Sequence, residues 1–176
     1  MKFIEKSSDR WHTITGDDGP MVTLTPKPHS LLTMLQWHGV RQQWPAGMPV
    51  GVTVANDVDI EDLTDDLPRL SLIALQFPKW IDGRAYSQAH TLRSRLRYSG
   101  EVRATGEVVV DMLVLLQRTG FDAVELRADQ SRDVAERALS FFPGHYQGDV
   151  RETRPLFVRP AGELRDPEFV QGGASI

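Results

Sequence analysis

The chain has 176 residues, 40% hydrophobic and 25% charged, with a formal net charge of −4 and no cysteine. Length and composition suit one globular domain with a core of its own. The missing cysteine removes disulfides, thiolate metal sites, iron–sulfur ligation and thiol nucleophiles together, and the acidic balance argues against a general nucleic-acid binder.

Met1 to Lys6 holds no apolar stretch of signal-peptide length. The longest apolar run, Val108 to Leu116, is broken by Asp111 and reaches about half a bilayer span. The expectation is a cytoplasmic protein with no membrane contact. Charge is unevenly spread. Asp57, Asp59, Glu61, Asp62, Asp65 and Asp66 form an acidic stretch, whereas Arg84, Arg93, Arg95, Arg97 and Arg103 face Glu101 alone.

In chain order, Trp11–Thr15 and Met21–Thr25 flank Gly16–Pro20 and predict a hairpin-like segment. Ser30 is a good N-cap for a short helix through Leu31, Leu32, Leu35 and Trp37 to Gly39. From residue 50 strands and helices alternate. Strands are predicted near 50–55, 70–77, 101–104 and 122–126. Between them Asp59 caps a helix over 60–66, and Ala85, Ala89, Leu92 and Leu96 recur at helical spacing with arginines opposite. Residues 107–119 predict an apolar helix ended by Gly120. Asp129 or Ser131 caps a last helix with Val134, Ala135, Ala138, Leu139 and Phe142 inward.

That alternation predicts an α/β fold, a mainly parallel sheet as an open sheet or partial barrel, because a complete eight-stranded barrel takes about 200 residues or more. The expected layout is 1–49 as an N-terminal hairpin and helix on the body, 50–147 as the core, and 148–176 as an arm or tail.

Ligands of parallel sheets sit beyond the carboxyl ends of the strands. After the 70–77 strand come Lys79, Asp82, Gly83, Arg84, Tyr86 and Ser87, leading into a helix whose free amides attract anions. After the 101–104 strand stand Gly106 and Glu107, with Arg103 beside them. Lys79, Arg84, Ser87 and Arg103 are the candidate anion-binding residues, with Asp82, Tyr86, Glu107 and Asp111 as secondary candidates. The competing reading makes Ser87 a cap, the glycines turns and the arginines solvated, above all Arg93, Arg95 and Arg97 on an outer helix face. Asp111 is expected to bond an arginine or the backbone. No metal site is expected: the five histidines lack ligand spacing. Neither a nucleophile elbow nor a Rossmann or Walker glycine pattern follows a strand. No cofactor is predicted, with flavin left open.

Asp82–Ser87, Leu92–Arg95, Tyr98–Val108, Asp111 and Gly120–Ala123 together resemble the DUF934 family over roughly residues 50–130. The chain departs from the family's usual residues at Ala85, Arg97, Glu107 and Met112. Family members are uncharacterised bacterial proteins, often described as oxidoreductases involved in sulfite reduction, and their genes commonly lie beside those of assimilatory sulfite reductase and phosphoadenylyl-sulfate reductase. The resemblance implies a link to sulfur assimilation. Two readings stay open, and whether the protein is an enzyme stays open with them. One is an accessory protein of sulfite reduction without a redox cofactor, binding one of those reductases or a second copy of itself. The other is a small enzyme or sensor holding a sulfur oxyanion or phosphate-bearing ligand.

Overall fold

The computed structural model describes residues 1–14, 24–141, 147–150 and 152–158. Its strands are β1 (Lys2–Phe3), β2 (His12–Thr13), β3 (Ser30–Thr33), β4 (Val50–Val54), β5 (Leu72–Phe77), β6 (Glu101–Gly106) and β7 (Ala123–Val124). The α-helices are α1 (Met34–Val40), α2 (Arg84–Ser94), α3 (Leu113–Thr119) and α4 (Arg132–Ser140). All seven strands are parallel, in the order β1-β7-β6-β5-β4-β3-β2. From β2 to β7 each strand therefore pairs with its successor in sequence, and the sheet curls into a half-barrel. Right-handed crossovers between successive neighbours put the helices on one side of such a sheet.

The strands obey their period of two. Leu32, Val52, Val54, Ile73, Leu75, Phe77, Val102, Ala104 and Val124 enter the main core with the helices' Trp37, Ala85, Ala89, Leu92, Leu113 and Leu116. The opposite rows carry Leu31, Gly51, Leu72 and Glu101, then Thr33, Thr53, Ala74 and Arg103. Among the described residues no helix covers that second side. The chain itself crosses it, because β1 lies at one edge of the sheet and β2 at the other. Trp11, near the end of this crossing, is buried over Leu31, Leu72 and Ala74 as a second, small apolar cluster.

The four strands expected in the core are present. Elsewhere the structure differs. Ser30 is not a helix cap but opens β3, since Leu31 and Leu32 are buried on opposite faces of the sheet, as only a strand allows. The helix begins one turn later, where Thr33 and Gln36 exchange side-chain and backbone bonds in a capping box. His12–Thr13 pairs parallel with β3. Residues 15–20 and most of the proposed second hairpin arm lie outside the described residues. Residues 1–49 thus supply three strands to the common sheet. The 107–119 helix starts late: Val108 and Val109 precede a 3-10 turn at Val110–Met112, and α3 follows. Three consecutive valines resist helix formation through their stiff χ1. Gly120 closes α3 at φ 106°, as expected of a C-cap. On α4, Ala135 is buried, but Val134 is 43% exposed rather than inward.

Candidate functional site

The loop after β5 carries most of the candidate anion site. Gly83 is the N-cap of α2 and offers no side-chain bond. Asp82 takes over: its carboxylate accepts from the Arg84 backbone N–H at 3.2 Å, from Arg84 Nε at 3.1 Å and from Arg84 Nη2 at 2.8 Å. These bonds hold the Asp82 carboxyl well below the usual carboxylate range and push the Arg84 guanidinium up. Asp82 thereby occupies the place an external anion would take. Lys79 and Ser87 are exposed on the same loop and first turn. Tyr86 turns its ring edge-on to Phe77, 5.1 Å between centroids, and burial pushes its phenol up to about 12.

Arg103 does not join them. Position 103 faces the helix-free side of the sheet, where the guanidinium is 3% exposed and bonds Glu101 Oε1 at 2.8 and 3.1 Å and the carboxylate of Asp9. No hydrogen bond or ion pair among the described residues links Arg103 to Lys79, Arg84 or Ser87. The structure thus brings Asp82 and Arg84 together with Lys79 and Ser87 nearby, and sends Arg103 elsewhere.

Two residues with no signal in the sequence border the α2 start. Gln88 Nε2 donates to Ala55 O at 2.9 Å and Val58 O at 2.8 Å, tying the loop after β4 to α2. Asn56 is 8% exposed, and its Nδ2, like Gln88 Oε1, is buried without a hydrogen bond of ordinary geometry among the described residues. The Asn56 amide lies close enough to Asp82 to help lower its carboxyl pKa.

Glu107 belongs to a different place. A cleft of about 500 Å³ opens beyond the carboxyl ends of β6, β7 and β1, with Phe3, Ile4 and Leu126 among its apolar walls. Its charges are matched inside the chain. Glu107 accepts from Arg127 at 2.9 Å, Arg127 also holds Asp129 at 2.6 Å, and Lys6 meets Glu125 at 2.9 Å. Arg127 pulls the Asp129 carboxyl down to about 2.

Arg93 is not a solvated arginine of an outer face. It is largely buried and donates to Gly120 O at 3.0 Å, Gly100 O at 2.9 Å and Tyr98 O at 2.5 Å, while pairing with Asp122. It joins the end of α2 to the loops before β6 and β7. Arg95 does face water, paired with Glu61, and Arg97 is exposed at φ 55°. Asp111 is exposed and makes no hydrogen bond or ion pair among the described residues, contrary to the expected arginine or backbone bond.

Among the described residues no three His, Asp or Glu side chains gather as a metal site would need. No described helix is long and apolar enough to cross a membrane. No curated protein matches the sequence. A family model matches residues 51–157, more than half of the chain, and covers β4 to α4 with both the α2 start and the Arg93 anchor. On that match the chain belongs to the family described as bacterial protein of unknown function, DUF934.

Proposed function

We propose that the protein is an accessory protein of assimilatory sulfite reduction, with no redox cofactor of its own, which works in the cytoplasm by binding sulfite reductase or phosphoadenylyl-sulfate reductase. The observation that carries this reading is the state of its arginines. Arg84 and Arg103, the two guanidiniums that an oxyanion substrate would need, are held by the chain's own Asp82, Asp9 and Glu101. They serve the fold. Passing electrons to sulfite takes a flavin, haem or iron–sulfur carrier. Thiolate ligation is closed to a chain without cysteine, and no dinucleotide fingerprint follows a strand.

The test is to purify the protein, record its visible spectrum and follow sulfite-dependent oxidation of an electron donor with and without the reductase. A colourless protein that is inert alone and co-purifies with the reductase supports the accessory role. A tightly held yellow cofactor, or turnover by this chain alone, overturns it.

One observation favours a second reading, a small oxyanion ligand at the start of α2. The buried Asn56 Nδ2 lies close enough to act on the Asp82 carboxylate but completes no hydrogen bond of ordinary geometry among the described residues, leaving a donor that a small anion would satisfy. Calorimetric titration with sulfite, sulfate and adenylyl sulfates separates the readings. Binding that is lost in Asn56→Leu favours the oxyanion site, and no heat with any of them favours the accessory role.

A further inference from the structure

A groove of about 540 Å³ runs along the outer surface between the start of α3 and α4. Val110 and Val114 form one wall, and Val134, Ala138 and Phe141 form the other. Val134 is 43% exposed and Phe141 76%, so this apolar surface faces outward. An exposed apolar groove rimmed by charged residues is a surface on which association can be sought.

Charge on the two lips says what fits. Asp111 lies on the Val110–Val114 wall, and Arg137 lies on the α4 wall between Val134 and Phe141. Other arginines nearby are satisfied, Arg132 by Glu136 and Glu5, Arg127 by Glu107 and Asp129. Asp111 and Arg137 are not: neither side chain makes a hydrogen bond or ion pair among the described residues. One wall ends in an unused acid and the other in an unused base.

We infer that this groove is the interface of a homodimer. A two-fold axis through the groove sets the Val134 wall of each copy against the Val110–Val114 wall of the other. Asp111 then meets Arg137 of the second copy, and Arg137 meets its Asp111. A two-fold contact requires such a self-complementary patch and closes at two copies. Any other partner would have to bring an acid and a base in matching order. A second copy carries them already. The apolar walls supply the attraction, and the two charge pairs fix the register and reject other alignments.

The experiment is sedimentation velocity on the full chain across micromolar to sub-millimolar concentrations, with circular dichroism checking the fold of each variant. The wild type is expected to be a dimer. Asp111→Arg alone and Arg137→Asp alone each place like charges across the interface twice and weaken dimerisation by about a hundredfold or more. The double variant carrying both reversals restores the wild-type dimer to within about threefold. Val134→Glu, at an exposed position, gives a folded monomer. A wild type that stays monomeric throughout overturns the inference. So does a dimer indifferent to Val134→Glu, or single reversals that the double variant fails to rescue.

Discussion

Asp9 and Arg103, 94 residues apart in sequence, form an ion pair on the side of the sheet opposite the described helices. Arg103 is the more deeply placed of the two, and Glu101 is its other carboxylate partner among the described residues. Removing Asp9 leaves the buried guanidinium with Glu101 as its one described carboxylate, whereas removing Arg103 as well takes away the charge that needs partners. Asp9→Ala is expected to lower stability by about 2–4 kcal/mol, and Asp9→Ala with Arg103→Met by clearly less. Urea unfolding of the two variants reads the difference directly. Equal losses would mean that the pair contributes no coupling.

Arg93 is a second anchor. Its guanidinium serves three carbonyls and one carboxylate in a planar fan that an ammonium cannot reproduce. Arg93→Lys is expected to cost about 2 kcal/mol despite keeping the charge, because buried carbonyl acceptors lose their donors. The midpoint of urea unfolding should fall with an unchanged m-value.

Tyr86 gives the fold a weakness to alkali. Its phenol ionises at about 12 rather than the ordinary 10.0, because burial disfavours the phenolate. Between these values the unfolded chain gives up a proton that the folded chain keeps, so this contribution is full below pH 10 and lost as pH rises through 12. Tyr86→Phe keeps the ring against Phe77 and removes the titration. Stability measured at pH 9 and pH 11 should therefore fall less steeply in the variant. Equal slopes would contradict the assignment.

Gly106 ends β6 at φ 93°, and a Cβ there would sit 2.5 Å from the carbonyl oxygen of Phe77. That oxygen accepts the Glu107 N–H at 2.8 Å and has little freedom to withdraw. Gly106→Ala is expected to cost about 2–3 kcal/mol, the sum of left-handed strain and the clash. It should also shift the Glu107–Arg127 pair, visible as chemical-shift changes at Arg127.

What the sequence disclosed follows the range of the forces involved. β4 and β5 were legible as largely apolar runs bounded by turn residues, β6 as a short alternation of Val102 and Ala104 with polar residues, and α2 because Ala85, Ala89 and Leu92 recur on one face. β3 was hidden, since Ser30 before two leucines satisfies helix-cap and strand patterns alike, and only burial of Leu31 beneath Trp11 decides. β1 has two residues and carries no pattern of its own, whereas β2 lies within the β-prone Trp11–Thr15 stretch but pairs parallel with β3 instead of forming a hairpin. At the candidate site the local part, Asp82 with Arg84, was within reach of sequence reasoning. The partners of Arg103 and Arg93 were not, because Asp9, Gly120 and Asp122 are brought to them by chain crossings between distant segments. Asn56 and Gln88 are ordinary polar residues in sequence and become notable only through burial.

The edge strand β1 has a further meaning for how the chain reaches its final shape. Lys2 pairs with Ala123 and Phe3 with Val124, so β1, the earliest of the sheet's described strands in sequence, waits for β7, the last of them. Every other neighbouring pair can form as its second member emerges. Completion of the sheet thus depends on its longest loop closure, a step that slows folding and leaves the β7 edge unpaired until it happens. The same closure draws the segment bearing Asp9 and Trp11 over the bare side of the sheet. Docking of the first fourteen residues should be the final event of folding, detectable as a late change in Trp11 fluorescence after the helices have formed.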